Sequence, residues 1–261
     1  MKNPFRNRIP FLTLLLLLSS ETVSAATAIP PSSQYLNGEA PVILNVGISI
    51  KARELRYENF IVMHSGISRT PLWSAEHLTK ENLLEAKKLE RYDAYHHEAR
   101  LPVAERAELK DYANSGFDKI SMAPCADMPT IKAQFQCFTL ANTIPHNNES
   151  DSQLWEQIES AVRTYAIKQG ELYVITGTLS IGARLQRLNG RVLVPSHLYK
   201  IVFDPRKNMG AAYFFRNEQG KAWQTVSIRQ LEKMSGINFF PGLADDMKEN
   251  ILKLPEPEAT R

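Results

Sequence analysis

The sequence is poor in cysteine, with two in 261 residues, and has no strong excess of either charge, its formal net charge being +3. So few cysteines exclude a fold built on a disulfide framework. None is needed at this length, because a chain of this size can bury a sizeable core without disulfides or metal. The even charge balance is compatible with a polyanionic partner but does not call for one. Long apolar runs are missing beyond the first twenty residues, so no later segment could cross a bilayer, which takes roughly 20 apolar residues. Repeats and clear domain boundaries are missing too. The remaining composition, 43% hydrophobic and 23% charged, is that of an ordinary globular protein.

A shorter apolar run does stand at the N-terminus. Lys2, Arg6 and Arg8 form a basic start, "FLTLLLLLSS" follows, and "VSA" at Val23 to Ala25 offers small residues for cleavage. This is the pattern of a cleaved secretory signal over residues 1–25; the alternative is an uncleaved anchor. The mature protein is expected to begin near Ala26 and to be periplasmic or secreted, with no membrane attachment once the signal is removed. Residues 26–40, rich in Pro, Ser and Gly, read as a flexible lead-in, and 41–261 as one domain. In an oxidising compartment Cys125 and Cys137 are a candidate disulfide; the alternative is two buried thiols.

Along the chain, "IVMHSGISRTPLWSAEHL" reads as two strands around a Ser-Gly turn. "TKENLLEAKKLERY" reads as a short helix with Thr79 as N-cap. "ARLPVAERAELKDYANSG", polar and broken by proline, reads as a surface excursion. "QFQCFTLANTIP" has the composition of a strand. From Asp151, apolar residues at Leu154, Trp155, Ile158, Ala161, Val162, Tyr165 and Ala166 repeat at helical spacing as far as Gly170. "ELYVITGTL", "HLYKIVFDP" and "GAAYFFRN" are buried strands, "SIRQLEKMSG" is a helix closed by Gly236, and "DDMKENILKL" is a short final helix. The class is α+β, with a substantial antiparallel sheet.

Within the long helix, Asp151, Trp155, Glu159 and Arg163 are four apart and share one drifting face. With Trp155 packed inward, two carboxylates and a guanidinium border the buried stripe. Such a row can organise a divalent cation, its waters and a phosphate. The plainer reading makes Asp151 an N-cap and Glu159–Arg163 a solvated ion pair.

Three stretches in succession, "GFDKISMAPCADM", "FTLANTIPHNN" and "DSQLWEQIE", favour the first reading. The succession resembles the DNA/RNA non-specific endonuclease family, the ββα-metal nucleases, whose motifs run Asp-Arg-Gly-His-Met-x-Pro, then Thr-Asn-x-x-Pro-Gln, then Asn-x-x-x-Trp-x-x-Leu-Glu. Downstream "ELYVITGTL", "VLVPSHLYKIVFDP" and "INFFPGLADD" are similar to further family segments, as are "SRTPLWSAEHLT" and "LERYDAYHHEARLP" upstream. The resemblance covers nearly the whole mature chain. It implies a central antiparallel sheet flanked by helices, DNA and RNA as sequence-independent partners, and a Mg²⁺ or other divalent cation. The oligomeric state is not fixed by it, a homodimer being compatible.

Carried over by that resemblance, Asp118 matches the first motif's acid, Lys119 replaces its arginine, Ile120 its glycine and Ser121 its histidine, the general base. Asn142 and Pro145 match the second motif, with His146 where glutamine is usual. Asp151 stands for the metal-holding asparagine, Glu159 for the glutamate that orders the metal's waters, and Arg163 for a phosphate contact. Arg91 matches an upstream phosphate-binding arginine. Asn to Asp keeps an oxygen ligand, and Arg to Lys keeps a cation but loses the fork. His to Ser differs in kind, because a hydroxyl does not accept a proton near neutral pH. His146 is the first candidate for a relocated base and the pair His96 and His97 the second. Asp151 acting on a bound water is another route, and His197 reads as structural. The expected function is an exported nuclease with an altered site. The alternatives are a catalytically silent nucleic-acid binder and a scaffold that no longer meets nucleic acid.

Overall fold

The computed structural model describes residues 33–91, 93–147, 152–182, 185–218, 220 and 222–257. The expected signal segment, the first part of the lead-in and Asp151 lie outside the described residues. In chain order the elements that position the site are strands β1 (Ala52–Arg56), β2 (Phe60–Ser65) and β3 (Thr70–Thr79), then helix α1 (Lys80–Ala86). A strand β4 (Phe117–Ser121), helix α2 (Ile131–Cys137), strand β5 (Thr143–Asn147) and helix α3 (Ser152–Gln169) follow. The chain continues through β6 (Glu171–Leu179), β7 (His197–Asp204), β8 (Met209–Arg216), β9 (Trp223–Val226) and helix α4 (Ile228–Ser235).

Seven of these strands form an antiparallel sheet in the order β9-β8-β7-β6-β3-β2-β1. Its long central strands are apolar on both faces, as strands covered on both sides must be. Side chains alternate between faces, and the two faces bury different things. Trp73, Ala75, Ile175, Tyr199, Ile201 and Phe203 point to one side and pack against α4, Phe239 and Phe240. Leu78, Leu172, Val174, Leu198 and Val202 point to the other and meet Leu154, Trp155, Ile158, Val162 and Ala166 of α3. The helical stripe read from the sequence is therefore the surface that seats α3 on the sheet.

Gly177 permits a close approach on the first face, since a Cβ there would lie 2.2 Å from the Tyr199 hydroxyl and 2.5 Å from the Leu72 carbonyl. Gly236, at φ 69°, closes α4 in the left-handed conformation that glycine adopts without strain.

Three sequence expectations are corrected. "QFQCFTLANTIP" is not one strand: it ends α2, passes a 3₁₀ turn at Leu140–Asn142 and only then becomes β5. The Thr130 hydroxyl caps α2 by accepting from the Ala133 amide at 3.0 Å, so a local cap outweighs strand propensity. The stretch from Ala99 to Gly116 is not a mere surface excursion, because Leu101, Ala107 and Tyr112 are buried. Its acids are paired inside the fold, Asp111 with Arg191 and Glu105 with Lys51 and Arg53. Finally, the described part of the lead-in is docked: Tyr35 is buried and donates its hydroxyl to Glu54.

Candidate active site

β4 and β5 form an antiparallel hairpin in which Ser121 faces Thr143 and Asp118 faces His146. α3 comes next in the chain, so the local architecture is strand, strand, helix. Ile120, Met122 and Ile144 turn into the core shared with α3. Along β4, Lys119 and Ser121 therefore fall on the opposite face from Ile120.

The long connection between the two hairpin strands is fastened at its base. Cys125 and Cys137 are bonded to each other, with their Cα atoms 5.5 Å apart. The Ser121 hydroxyl donates to the Cys137 carbonyl at 3.1 Å. Asn142, fully buried, donates to the carbonyls of Cys137 and Ala123, both at 3.0 Å. Its amide oxygen accepts from the Ala123 amide at 3.0 Å and the Ser74 hydroxyl at 2.7 Å. Two donated and two accepted bonds exhaust a carboxamide. Asn142 thus clamps the Ser-Met-Ala-Pro turn to the sheet, and its side chain has no capacity left for a substrate.

Tyr95 sits where the functional groups meet. Its hydroxyl donates to the Lys119 carbonyl at 2.9 Å, and the Lys119 ammonium lies 5.3 Å from its ring centre. Burial raises its pKa, with the charge of Arg91 opposing and that of Glu159 adding to the rise. Arg91 is exposed, bonded to Asp93 at 2.7 Å, and lies over the Phe138 ring at 5.7 Å. Burial of its stem opposes its charge, but Asp93 and, more distantly, Glu159 hold it protonated. Across from them on α3, the Arg163 guanidinium donates to the Asp127 carboxylate in the disulfide-closed loop. The structure therefore brings Ser121, Lys119, Arg91, Glu159 and Arg163 to one side of the molecule. Asp151, which precedes the helix, lies outside the described residues.

Of the candidate histidines, His96 adjoins the site, following Tyr95 and bonded through its backbone to Phe138 and Leu140. His146, proposed as a relocated base, is 2% exposed, and burial lowers its pKa against the pull of Asp118. A ring so enclosed is poorly placed to reach a water beside Ser121. His97 pairs with Glu108 at 3.4 Å. His197 stacks on Phe214, and its Nδ1 is 2.8 Å from the Ser196 hydroxyl, a structural setting.

Three side chains that sequence reasoning missed stand beneath the site. Glu76 on β3 is buried, and neither of its carboxyl oxygens has a hydrogen-bond partner among the described residues. Lys200 on β7 is buried, donates to the Thr176 hydroxyl at 2.7 Å and lies 4.9 Å from the Trp155 ring. Asp127 is the third. Burial raises the Glu76 carboxyl well above its ordinary range, Asp127 and Glu159 raise it further, and Lys200 and Arg163 oppose them. Glu159 is pushed up to about 7 for the same first reason, burial, with Lys200 and Arg163 again opposing. For Glu76 and Lys200, though not for Asp127 in its 3₁₀ turn, the signal that could have found them is a lone charge inside an apolar strand, as in "WSAEHL" and "LYKIVF". Such a charge points into the core and has to be answered there.

A family model described as DNA/RNA non-specific endonuclease matches residues 40–246. The chain belongs to that family. Among its relatives, nuclease C1 of Cunninghamella echinulata var. echinulata is 30% identical over 77% of this chain and 88% of that protein. The mitochondrial nuclease EXOG of Homo sapiens is 27% identical over 79% of this chain, which spans 62% of that longer protein. The solved EndoG/EndoGI complex, a study of EndoG inhibition, superposes with a TM-score of 0.70 at 20% identity, over 77% of this chain and 91% of that one. That likeness establishes the ββα-metal nuclease fold, and the endonuclease family is one of divalent-metal-dependent enzymes.

Proposed function

We propose that this endonuclease-family protein is exported and hydrolyses phosphodiester bonds in DNA and RNA, slowly, at a site that has lost its imidazole base. The observation that carries the reading is the gathering of Arg91, Lys119 and Arg163 with Glu159 around the Ser121 end of the hairpin. Three cations on one side are suited to a phosphate and its developing charge.

Hydrolysis joins a water oxygen to phosphorus and breaks the bond to the 3′ oxygen, while water gives up one proton and the leaving oxygen takes one. Arg163, braced by Asp127, and Arg91 and Lys119 would hold the phosphate. The Ser121 hydroxyl can position the water but cannot take its proton near neutral pH. Losing a positioned base lowers such a rate by about 10²–10⁴-fold.

The residues fit a hydrated divalent cation, with Mg²⁺ as the first candidate. Asp151 and Glu159 are oxygen donors of the kind a hard cation takes, and magnesium keeps several waters while using only one or two carboxylates. Asp151 lies outside the described residues, and among those no group of three or more His, Cys, Asp or Glu is placed to hold an ion. When bound, the cation would neutralise charge at the leaving 3′ oxygen.

Export rests on the basic, apolar and small-residue order of the first 25 positions. The bonded Cys125–Cys137 pair supports an oxidising compartment. The enclosure of His146 favours a second reading, a silent relative that binds nucleic acid, because the first candidate for a relocated base is withdrawn from solvent.

The deciding experiment incubates mature protein with plasmid DNA and with RNA, in Mg²⁺ and in chelator, beside Glu159→Ala and Ser121→His. We expect slow cutting that chelator and Glu159→Ala abolish, and a gain of about 10²-fold in Ser121→His. A silent wild type whose Ser121→His variant cuts would establish the second reading. If Ser121→His is silent as well, the hydrolytic reading fails.

A further inference from the structure

Next to the hairpin, α2 presents an apolar ring to solvent. Phe135 is 54% exposed and Ile131, four residues earlier on the same helical face, is 77% exposed. Lys132, three residues before Phe135, is exposed on that face too. Scattered exposed apolar residues are ordinary. This ring differs because it is already half of a stack. The His96 imidazole lies parallel to it at 5°, with ring centres 4.3 Å apart. His96 is itself pinned: Nδ1–H donates to the Ala94 carbonyl at 2.9 Å. Its backbone is tied to the residues after α2, by its amide to the Phe138 carbonyl at 3.2 Å and by the Leu140 amide to its own carbonyl at 2.8 Å.

The stack is continuous with the candidate active site. His96 follows Tyr95, whose hydroxyl donates to the Lys119 carbonyl, and the helix that carries Phe135 ends at Cys137, whose carbonyl accepts from Ser121. Phe138, one residue further, lies under Arg91. The Phe135–His96 stack, with Lys132 beside it, thus adjoins the residues that carry the hydroxyl and the cations through the Tyr95–His96 segment.

We propose that Phe135, backed by His96, is a stacking platform for an unpaired nucleobase, so that this protein prefers single-stranded nucleic acid. This rests on the nuclease-family reading of the site and adds the strand form of the substrate to it. A base inside a duplex has both faces covered by its neighbours, whereas a base in a single strand can lay one face on the open side of Phe135. Lys132 supplies a cation for the adjoining phosphate, and every base has a π-face, so the platform is indifferent to sequence.

The test measures binding in chelator, so that no strand is cut, using a 12-nucleotide single strand carrying one 2-aminopurine and the blunt duplex of the same sequence. Wild type is expected to bind the single strand more tightly and to quench the 2-aminopurine. Phe135→Ala should weaken single-strand binding roughly 10-fold, leave duplex binding within about twofold and remove the quench, while Phe135→Trp retains all three properties. Because Phe135 is exposed, neither change removes core packing. Phe135→Leu decides between a ring and mere apolar area: if it binds the single strand as wild type does, the platform is wrong. Equal losses on both probes in Phe135→Ala would also overturn it. If wild type binds both probes and Phe135→Ala changes neither, this inference falls alone; if wild type binds no nucleic acid, the proposed function falls with it.

Discussion

The two faces of the central sheet are made by the same strands and are chemically opposed. On β3, Trp73 and Ala75 go to the face under α4, while Ser74 and Glu76 go to the face under α3 and the hairpin. On β7, Tyr199, Ile201 and Phe203 go one way and Lys200 the other. Register aligns Ser74 with Thr176 and Thr176 with Lys200, so a polar row crosses three strands beneath the site. The α4 face is an ordinary apolar core whose contribution grows with area removed from water. The hairpin face gives up part of that contribution to hold two cationic side chains, Lys200 and Arg163, among three carboxyls, Glu76, Asp127 and Glu159. Three carboxyls against two cations leave one acid in excess, in keeping with the raised Glu76 carboxyl. Both faces bury apolar surface, and the hairpin face adds to its share a charge cluster beneath the candidate site.

The sharpest way to break this division is to damage the apolar face and look for an effect at the other. Trp73 is fully buried there. Trp73→Ala should cost about 3–5 kcal/mol in denaturant unfolding, while nucleic-acid binding per folded molecule stays unchanged. Lost binding in protein that remains folded would mean that the faces are not separable.

A somewhat smaller effect is expected on the hairpin face. Asp127 is the acid to which Arg163 donates, and both side chains are largely buried. Asp127→Ala leaves a guanidinium without its acceptor and should cost about 3 kcal/mol. It should also weaken single-strand binding, because Arg163 loses the group that orients it. Asp127→Asn keeps an acceptor and should lose less of both. A stability loss under about 1 kcal/mol in Asp127→Ala would show that the pair does not hold the loop.

The fold was largely legible in the sequence because its signals are local. The 3.6-residue stripe from Leu154 to Ala166, the apolar β-branched runs of β6 and β7 and the glycine after Ser235 each announce their element within a few residues. α2 was not legible, because "QFQC" has a strand's composition and becomes helix through the Thr130 cap. The site was only half legible. Lys119, Ser121, Glu159 and Arg163 came from motif order, but motif order placed Asn142 and His146 among the working groups, and their burial shows on the fold alone. Glu76, Asp127 and Lys200 were missed because their meaning is long-range. A single charge in a strand has no partner in its own segment, and the partners here come from β3, β7, α3 and the disulfide-closed loop.

The subtlest expected effect concerns Glu76. Burial raises its carboxyl well above the ordinary value of 4.5, so the folded protein keeps a proton that the unfolded chain has released. Where the native state binds more protons than the unfolded one, stability falls as pH rises. Wild type should therefore lose stability progressively from about pH 4.5 upward, through the pKa of the folded state. Glu76→Gln has nearly the shape of the protonated acid and no proton to lose, so this part of the pH dependence should vanish. Near pH 5 the variant should match wild type within about 1 kcal/mol, and at alkaline pH it should be the more stable of the two. Denaturant midpoints across that range provide the check. A variant less stable than wild type at every pH would mean that Glu76 is ionised in the native state and that its charge is part of what holds Lys200 and Arg163, reversing the assignment of cost and benefit to the hairpin face.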